Sequence, residues 1–344
     1  MPAMLRPLSQ LIAFCLMNSA TAQPFGTWPN AKYKQAIVIG VEGFGGVYLR
    51  NASTPELPTL AEILSSDRSC VHLLARTEYP PSSAATWAST LTGMAPSETG
   101  IVSDDWVPII GIVMLSTPSV LLIGASRQSA DEVRWQPMMV DARASASDEF
   151  PPTLFTLAKR WDEYIRTAFY SSRPSLRELI VESVDYASFR QFVDIDDDEK
   201  TVNKFIELLE SDKFPHPSFL QLSGVEHAGR STFYGSNQYY KALTRIDGMI
   251  GEIQGAVLRR SDDFNTLIII MSNHGGYGNG HEEWMRPTAQ VPIVFANTRH
   301  PIELPGNKGW GGWLDIKEVV PSVLGAMGVP VSRYQRGRDH SYRF

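Results

Sequence analysis

The 344-residue chain contains only two cysteines and no long run of basic residues. Cys15 lies in an apolar N-terminal stretch, so a chain that loses this stretch keeps Cys70 alone and can form no internal disulfide. The formal net charge is −6, which argues against nucleic acid as a partner because nucleic-acid binding requires a basic surface. The sequence also lacks internal repeats and low-complexity tracts, and its 43% hydrophobic residues are typical of a globular protein.

The N-terminal segment has the three parts of a secretory signal peptide. Arg6 precedes a mostly apolar stretch at residues 8–17, and Ala20-Thr21-Ala22 provides the small-x-small pattern of a cleavage site. The apolar stretch is too short for a helix that crosses a membrane. We therefore expect residues 1–22 to be removed, residues 23–344 to form a single α/β domain, and the protein to be secreted or to stay in the secretory-pathway lumen.

Strand-like and helix-like segments alternate along the rest of the chain, which favours an α/β fold with a mostly parallel central sheet flanked by helices. Short β-branched or apolar runs predict strands, and residues with helical spacing of their apolar side chains predict helices. The predicted strands are residues 36–41, 167–170, 218–222, 266–271 and 291–295. The predicted helices are residues 57–64, 86–92, 152–165, 199–209 and 236–259.

The strongly apolar segment at residues 108–125 does not fit this alternation. Ser116, Thr117 and Pro118 interrupt it, which makes a membrane-spanning helix the weaker interpretation. We expect two buried strands that flank a turn.

Polar side chains follow the predicted strands. Residues 266–271 end at Asn273 and His274, with His281 seven residues after His274. Glu42 follows the strand at residues 36–41, and Glu226 and Arg230 follow the strand at 218–222. In open α/β sheets, the carboxyl ends of the strands carry the ligand site. These residues are therefore expected to converge, and two histidines with carboxylates indicate a metal centre.

A further group of hydroxyls lies in the Pro-rich turn at residues 80–84, before the predicted helix at residues 86–92. Backbone N–H groups at such a helix entry attract anions, and phosphate is one example.

With these motifs in this order, the chain resembles the alkaline phosphatase superfamily, specifically its type I phosphodiesterase/nucleotide pyrophosphatase branch. The best-matched stretches are residues 38–46, 79–100, 222–252 and 266–281. The resemblance implies an alkaline-phosphatase-like α/β fold, a two-metal centre that uses divalent zinc, and hydrolysis of a small-molecule phosphate ester.

The resemblance also implies roles for individual residues. Ser83 matches the nucleophile, and Thr86 stands where the family has an Asn that helps to hold a phosphoryl oxygen. His274 and His281 match metal-binding histidines. Four positions differ from the family's metal ligands: Glu42, Glu226 and Asn273 stand in place of Asp, and Arg230 stands in place of His.

These four differences are expected to weaken metal binding to different extents. Glutamate keeps the carboxylate on an arm that is longer by about 1.5 Å, one C–C bond, whereas Asn273 loses the charge. Arg230 has no lone pair to offer and stays protonated. A guanidinium about 4 Å from a dication costs roughly 8 kcal/mol of repulsion at an effective dielectric constant of 20. We therefore expect one metal site at most, with the second site lost.

Two functions follow as hypotheses. In the first, one metal binds Glu42, Ser83, Asn273 and His274, Arg230 holds the phosphate, and a residual hydrolase activity survives; His227 or His281 protonates the leaving oxygen. In the second, the chain is a secreted pseudoenzyme in which Glu226, Arg230 and His281 form an ionic network. The cleft that corresponds to the family's active site then binds a ligand or partner protein.

Overall fold

The structure is a computed structural model, and the predicted signal peptide lies outside the residues that it describes. The described residues are 31–51, 53–104, 112–114, 120–129, 132–138, 151–173, 176, 188–192, 197–213, 215–260, 265–303, 313–330 and 335–343.

Ten strands and nine α-helices are defined in this part of the chain. The strands are β1 (Gln35–Val41), β2 (Ser69–Arg76), β3 (Ile112–Met114), β4 (Val120–Ser129), β5 (Glu132–Met138), β6 (Ala168–Ser171), β7 (Phe189–Phe192), β8 (Ser218–Leu222), β9 (Thr266–Met271) and β10 (Gln290–Asn297). The helices are α1 (Pro58–Ser65), α2 (Ser83–Thr92), α3 (Pro96–Thr99), α4 (Leu154–Trp161), α5 (Asp198–Leu209), α6 (Gly224–Thr232), α7 (Asn237–Leu258), α8 (Arg286–Ala289) and α9 (Val319–Ala326).

The central sheet has seven strands in the order β2-β10-β9-β1-β8-β6-β7. All of its strands except β10 run in the same direction, since β10 is antiparallel to both β9 and β2. The predicted class, α/β with a mostly parallel sheet flanked by helices, is therefore confirmed. Strands β1, β8 and β9 lie side by side, and their carboxyl ends meet at one edge of the sheet.

Both faces of the sheet are buried, which explains why its strands read as continuous apolar runs rather than alternating ones. Along β1, Ala36 and Val38 pack into one core with α2, α4 and α9, while Ile37 and Ile39 pack into the other with α1, α5 and α7.

Most of the predicted elements are confirmed to within a few residues. The strands at 218–222 and 266–271 have the predicted bounds, and α7 begins after Ser236, whose hydroxyl accepts a hydrogen bond from the Tyr239 N–H at 3.1 Å. Helix α4 is shorter than predicted. Strands β2 and β7 have no counterpart among the predicted elements.

Glu226 and Arg230 lie on helix α6, which is absent from the predicted helices. Asp198 stabilises the start of this helix. Its carboxylate accepts hydrogen bonds from the N–H groups of Ser223 and Gly224, both at 2.9 Å, and so caps the helix from a distant part of the sequence. No local sequence pattern reports this contact.

The apolar segment at residues 108–125 contains strands β3 and β4, which pair in antiparallel fashion and, with β5, form a separate three-stranded sheet. The two expected strands are therefore present. Residues 108–111 and 115–119 lie outside the described residues, and the predicted burial of the two strands stays a prediction. Within the described part of the chain, no helix has the length and apolar character needed to cross a membrane.

Gly40 lets helix α2 pack directly on β1, two residues before Glu42. A Cβ atom at this position would lie 2.5 Å from Cη2 of the buried Trp87. The same helix begins with Ser83, so this contact sets the distance between the two site residues.

We expect Gly40→Ala to lower the free energy of unfolding by about 1–3 kcal/mol, because the added methyl overpacks the core against Trp87. Urea denaturation followed by tryptophan fluorescence measures this change. Gly248→Ala is the matched control: its Cβ would meet nothing within 4 Å in the middle of α7, so it should be neutral or stabilising. An unchanged stability of Gly40→Ala would contradict the packing described here.

Candidate active site

The predicted site residues gather where β1, β8 and β9 end. Glu42 follows β1, Glu226 lies in the first turn of α6 after β8, and Asn273 and His274 follow β9. Ser83 is the first residue of α2, after the extended N-cap residue Ser82. These five residues are all buried, whereas Arg230 is exposed.

Ser83 and His274 are in direct contact. The Ser83 Oγ lies 3.0 Å from Nε2 of His274, and Nδ1 of the same ring lies 2.7 Å from the carbonyl oxygen of Gly275. Since a carbonyl can only accept, Nδ1 carries the proton, and Nε2 is an acceptor for the Ser83 hydroxyl. Burial, followed by the charge of His281, lowers the pKa of His274 to about 3, so the ring is neutral.

Glu42 is fully buried and forms an ion pair with Arg173 through its Oε1 atom. Its other oxygen accepts a hydrogen bond from Nε2 of Gln221 at 2.8 Å. Burial raises the pKa of Glu42, and the charge of Arg173 opposes this rise. Because an arginine does not give up its proton, Glu42 faces a permanent positive charge.

Glu226 is held by three neighbours. Tyr234 donates its hydroxyl hydrogen bond to Oε2, while Oε1 lies 3.3 Å from Nε2 of His281 and 3.5 Å from Nη1 of Arg230. Burial alone would raise the pKa of Glu226, but the hydrogen bond from His281 and the other contacts lower it to about 2. The pKa of His281 rises because Glu226 outweighs the opposing effect of burial.

Arg230 is less enclosed than the other site residues. Its side chain is 46% exposed and also contacts Glu282 at 3.3 Å. The contacts among Glu226, Arg230 and His281 thus form a network, to which Tyr234 and Glu282 are added.

Gly43 allows the strand ends to approach this closely. Its φ of +76° lies in the left-handed region, and a Cβ atom there would be 2.6 Å from Oε2 of Glu226. Glycine therefore brings the Glu42 and Glu226 segments together.

Asn273 and Thr86 are bound to each other. The Asn273 Nδ2 donates to the Thr86 Oγ1 at 3.1 Å, and the Thr86 hydroxyl donates to the Ser82 carbonyl at 2.7 Å. Within the described residues, the fully buried Oδ1 of Asn273 has no hydrogen-bond partner. An unpartnered buried carbonyl oxygen is a fitting cation ligand, so Asn273 remains a candidate for that role.

Two charged residues of the site were missed in the sequence. Arg173 follows β6, and the carboxyl-end rule that singled out Glu42 would also have pointed to it. Asp104, an exposed residue, accepts a hydrogen bond at 2.7 Å from the N–H of Ala84, which is next to Ser83 in the chain. No pattern in the sequence connects Asp104 with the helix that it contacts.

The residues fit one divalent metal. Glu226, His274 and His281 each offer one ligand atom, and these atoms lie within 4.8 Å of one another. The Nδ1 of His281 lies 2.8 Å from the carbonyl oxygen of Pro81, so both rings donate from Nδ1 to a carbonyl. Nε2 of His274 is left as an acceptor, whereas Nε2 of His281 would have to give up the proton that it donates to Glu226 before it could bind a metal. Metal-binding histidines usually show this second contact.

This cluster differs from the predicted ligand set of Glu42, Ser83, Asn273 and His274. His274 belongs to both groups, but Glu42 is paired with Arg173. A dication about 4 Å from this guanidinium would meet the same repulsion of roughly 8 kcal/mol that was expected for Arg230. The Glu42 side of the site therefore does not fit a metal while Arg173 is there.

Comparison with known proteins agrees with this architecture. The sequence profile of the family described as type I phosphodiesterase/nucleotide pyrophosphatase matches residues 36–286, which is well over half of the chain. The fold is alkaline-phosphatase-like, and the protein belongs to the type I phosphodiesterase/nucleotide pyrophosphatase family. No curated protein sequence matches the chain at a significant level.

Solved structures with the same fold come from several kinds of protein. Murine ectonucleotide pyrophosphatase/phosphodiesterase 5 has a TM-score of 0.60 at 12% identity, and the match covers 88% of this chain and 97% of that one. The soluble domain of a lipooligosaccharide phosphoethanolamine transferase from Neisseria meningitidis has a TM-score of 0.59 at 13% identity, covering 91% and 93%. A putative sulfatase from Bacteroides thetaiotaomicron has a TM-score of 0.61 at 12% identity, covering 89% and 73%.

We expect Tyr234→Phe to lower the free energy of unfolding by about 1.5–3 kcal/mol, the usual range for a hydrogen bond to a charged group, because Glu226 loses a buried donor. Thermal and urea denaturation measure the loss. Tyr277→Phe provides the control, since the Tyr277 side chain is exposed and its change should stay within about 0.5 kcal/mol. Equal effects of the two changes would mean that Glu226 does not depend on Tyr234.

Proposed function

We propose that the protein is a phosphoric-ester hydrolase with a substituted centre, which works with one divalent metal at most and has reduced activity. The observation that carries this proposal is the cluster of Glu226, His274 and His281 directly beside Ser83. Family membership supports the reaction class, since the family is one of phosphodiesterases and pyrophosphatases.

In the proposed reaction, the Ser83 Oγ forms a bond to phosphorus as the bond to the leaving ester oxygen breaks. The hydroxyl proton passes from Ser83 to water, and the ester oxygen takes a proton from water and departs as an alcohol. Water then hydrolyses the phosphoserine and restores the Ser83 hydroxyl. Arg230, at the exposed side of the cluster, is placed to offset negative charge on the phosphoryl oxygens.

A divalent metal, with zinc as the expected ion, would be held by Glu226, His274 and His281, with Asn273 as a further candidate. Such an ion supplies Lewis-acid stabilisation to a phosphoryl oxygen and lowers the pKa of a hydroxyl beside it. Thr86 has a supporting role in this proposal, because it holds the amide of Asn273.

The substrate we propose is a small phosphate ester. An inactive variant of the murine phosphodiesterase named above was solved in complex with AMP, with a TM-score of 0.60 to this chain at 12% identity and coverage of 90% and 98%. A nucleotide ester is thus a reasonable first substrate to test.

The second candidate function is a pseudoenzyme that binds a ligand or partner protein through the same cleft. A specific observation favours it: both carboxylates of the site, Glu42 and Glu226, have protein partners in Arg173, Gln221, Tyr234 and His281. Such pairing stabilises the loops without a metal.

We expect the purified protein to hydrolyse bis(4-nitrophenyl) phosphate slowly in the presence of zinc, and Ser83→Ala to abolish this activity. Combining Glu226→Asp, Asn273→Asp and Arg230→His should raise the rate by about a hundredfold, the usual value of one transition-state electrostatic contact. Initial rates measured with and without a chelator test both statements.

Ser65→Ala serves as the control, because it removes an exposed hydroxyl at the end of α1, outside the cluster. A native rate equal to that of the triple variant would show that the centre is not impaired. A native rate no higher than that of Ser83→Ala would leave only the pseudoenzyme.

We also propose that the chain is secreted, with a signal peptide at residues 1–22 and a single α/β unit at residues 23–344. The support is the small-x-small pattern of residues 20–22 behind the apolar stretch. Mass spectrometry of the protein from an export-competent host should find a mature N-terminus at Gln23. Retention of the full N-terminus inside the cell would contradict this proposal.

A further inference from the structure

We propose that Arg173 is the resident cation of this site: its guanidinium takes the place of a second metal ion and binds the phosphoryl oxygens of a phosphoric ester. The ester part rests on the proposed function. The replacement of the second metal by Arg173 does not rest on that function, because it concerns only how many metal ions the protein binds.

Arg173 lies directly against Glu42. The Arg173 Nη1 forms an ion pair with Glu42 Oε1, and the Glu42 side chain is 0% exposed while that of Arg173 is 22% exposed. Gln221 holds the other Glu42 oxygen and so orients the carboxylate towards the guanidinium. A buried carboxylate requires a cation, and here a side chain of the same protein supplies it.

Negative charge acts on Arg173 from several carboxylates. Burial would lower the pKa of Arg173, but the charges of Glu42, Asp104 and Glu226 raise it. Glu42 is in direct contact with the guanidinium, which carries one positive charge that cannot be titrated away.

The Arg173–Glu42 pair lies beside the strand on which the helix of the candidate nucleophile packs. Glu42 follows β1, and α2, which begins with Ser83, packs on β1 where Trp87 meets Gly40. The planar fork of an arginine matches two phosphate oxygens, and a phosphorus atom attacked by Ser83 would bring its oxygens to this place. A guanidinium has five N–H donors, so Arg173 can keep its pair with Glu42 while its other N–H groups hold phosphate oxygens.

Arg230 is the weaker candidate for this role, although the sequence pointed to it. Its side chain is 46% exposed, and it lies 3.3–3.5 Å from Glu226 and Glu282 in partly solvated surroundings. Charges that remain in water are screened and act weakly, whereas a buried guanidinium keeps most of its field.

The first test measures zinc per chain by elemental analysis after dialysis against buffered zinc. We expect at most one zinc in the native protein and one more in Arg173→Ala, because Glu42 then becomes available as a ligand. The double variant Arg173→Ala with Glu42→Gln should return to the native number. Arg259→Ala, which removes a 61% exposed guanidinium at the end of α7, is the matched control and should match the native protein.

Two zinc ions in the native protein would overturn the proposal, as would an unchanged number in Arg173→Ala. Since Arg173→Ala leaves Glu42 without its counter-charge and could fail to fold for that reason, a second variant that keeps the charge is needed.

The second test uses Arg173→Lys, which preserves the ion pair but loses the planar fork. In chelator-treated protein, isothermal titration with inorganic phosphate should show binding about tenfold weaker than in the native protein. Equal phosphate affinity in the native protein and Arg173→Lys would overturn the phosphoryl role. A chain that gains zinc in Arg173→Ala and binds phosphate through Arg173, but hydrolyses no ester, would refute the proposed hydrolase while leaving this inference intact.

Discussion

Two carboxylates buried at the carboxyl ends of neighbouring parallel strands determine how this site is built. Glu42 and Glu226 are both nearly inaccessible to water, and an ionised carboxylate in such a place is stable only beside a cation or several donors. Arg173 and Gln221 meet this need for Glu42, and Tyr234 with His281 meet it for Glu226. The close approach of the two strand ends over Gly43 makes each arrangement sensitive to the other.

The fold could be predicted from the sequence because its main strands carry their own signal. Residues 218–222 and 266–271 are short apolar runs with polar residues directly after them, and a sheet buried on both faces requires such runs. Because ligand sites lie at the carboxyl ends of such strands, the sequence also predicts that Glu42, Glu226 and His274 converge. Strand direction could not be predicted in this way: β10 is as apolar as β9 yet runs antiparallel to it.

The remaining parts of the site depend on contacts between distant residues. Helix α6 forms because Asp198, from another helix, caps it. Asp104 meets Ala84 across twenty residues, and Arg173 meets Glu42 across more than a hundred. An arginine after a strand is ordinary in a sequence, since most such side chains are solvated. The role of Arg173 becomes apparent only from its contact with the buried Glu42 carboxylate, and this contact exists only in the folded chain.

The sequence predicts four differences from the family's metal ligands, and the two glutamates among them both lie near arginines in the structure. A metal ion sits about 2.0–2.2 Å from a carboxylate oxygen, whereas a guanidinium nitrogen sits about 2.7–2.9 Å away and is itself a bulky planar group. A cation on a side chain also arrives from a fixed direction, here from the end of β6. Glutamate in place of aspartate adds about 1.5 Å of reach and a further rotatable bond, which suits such a partner. Glu42 is therefore suited to its direct contact with Arg173, whereas Glu226 meets the more exposed Arg230 only at 3.5 Å.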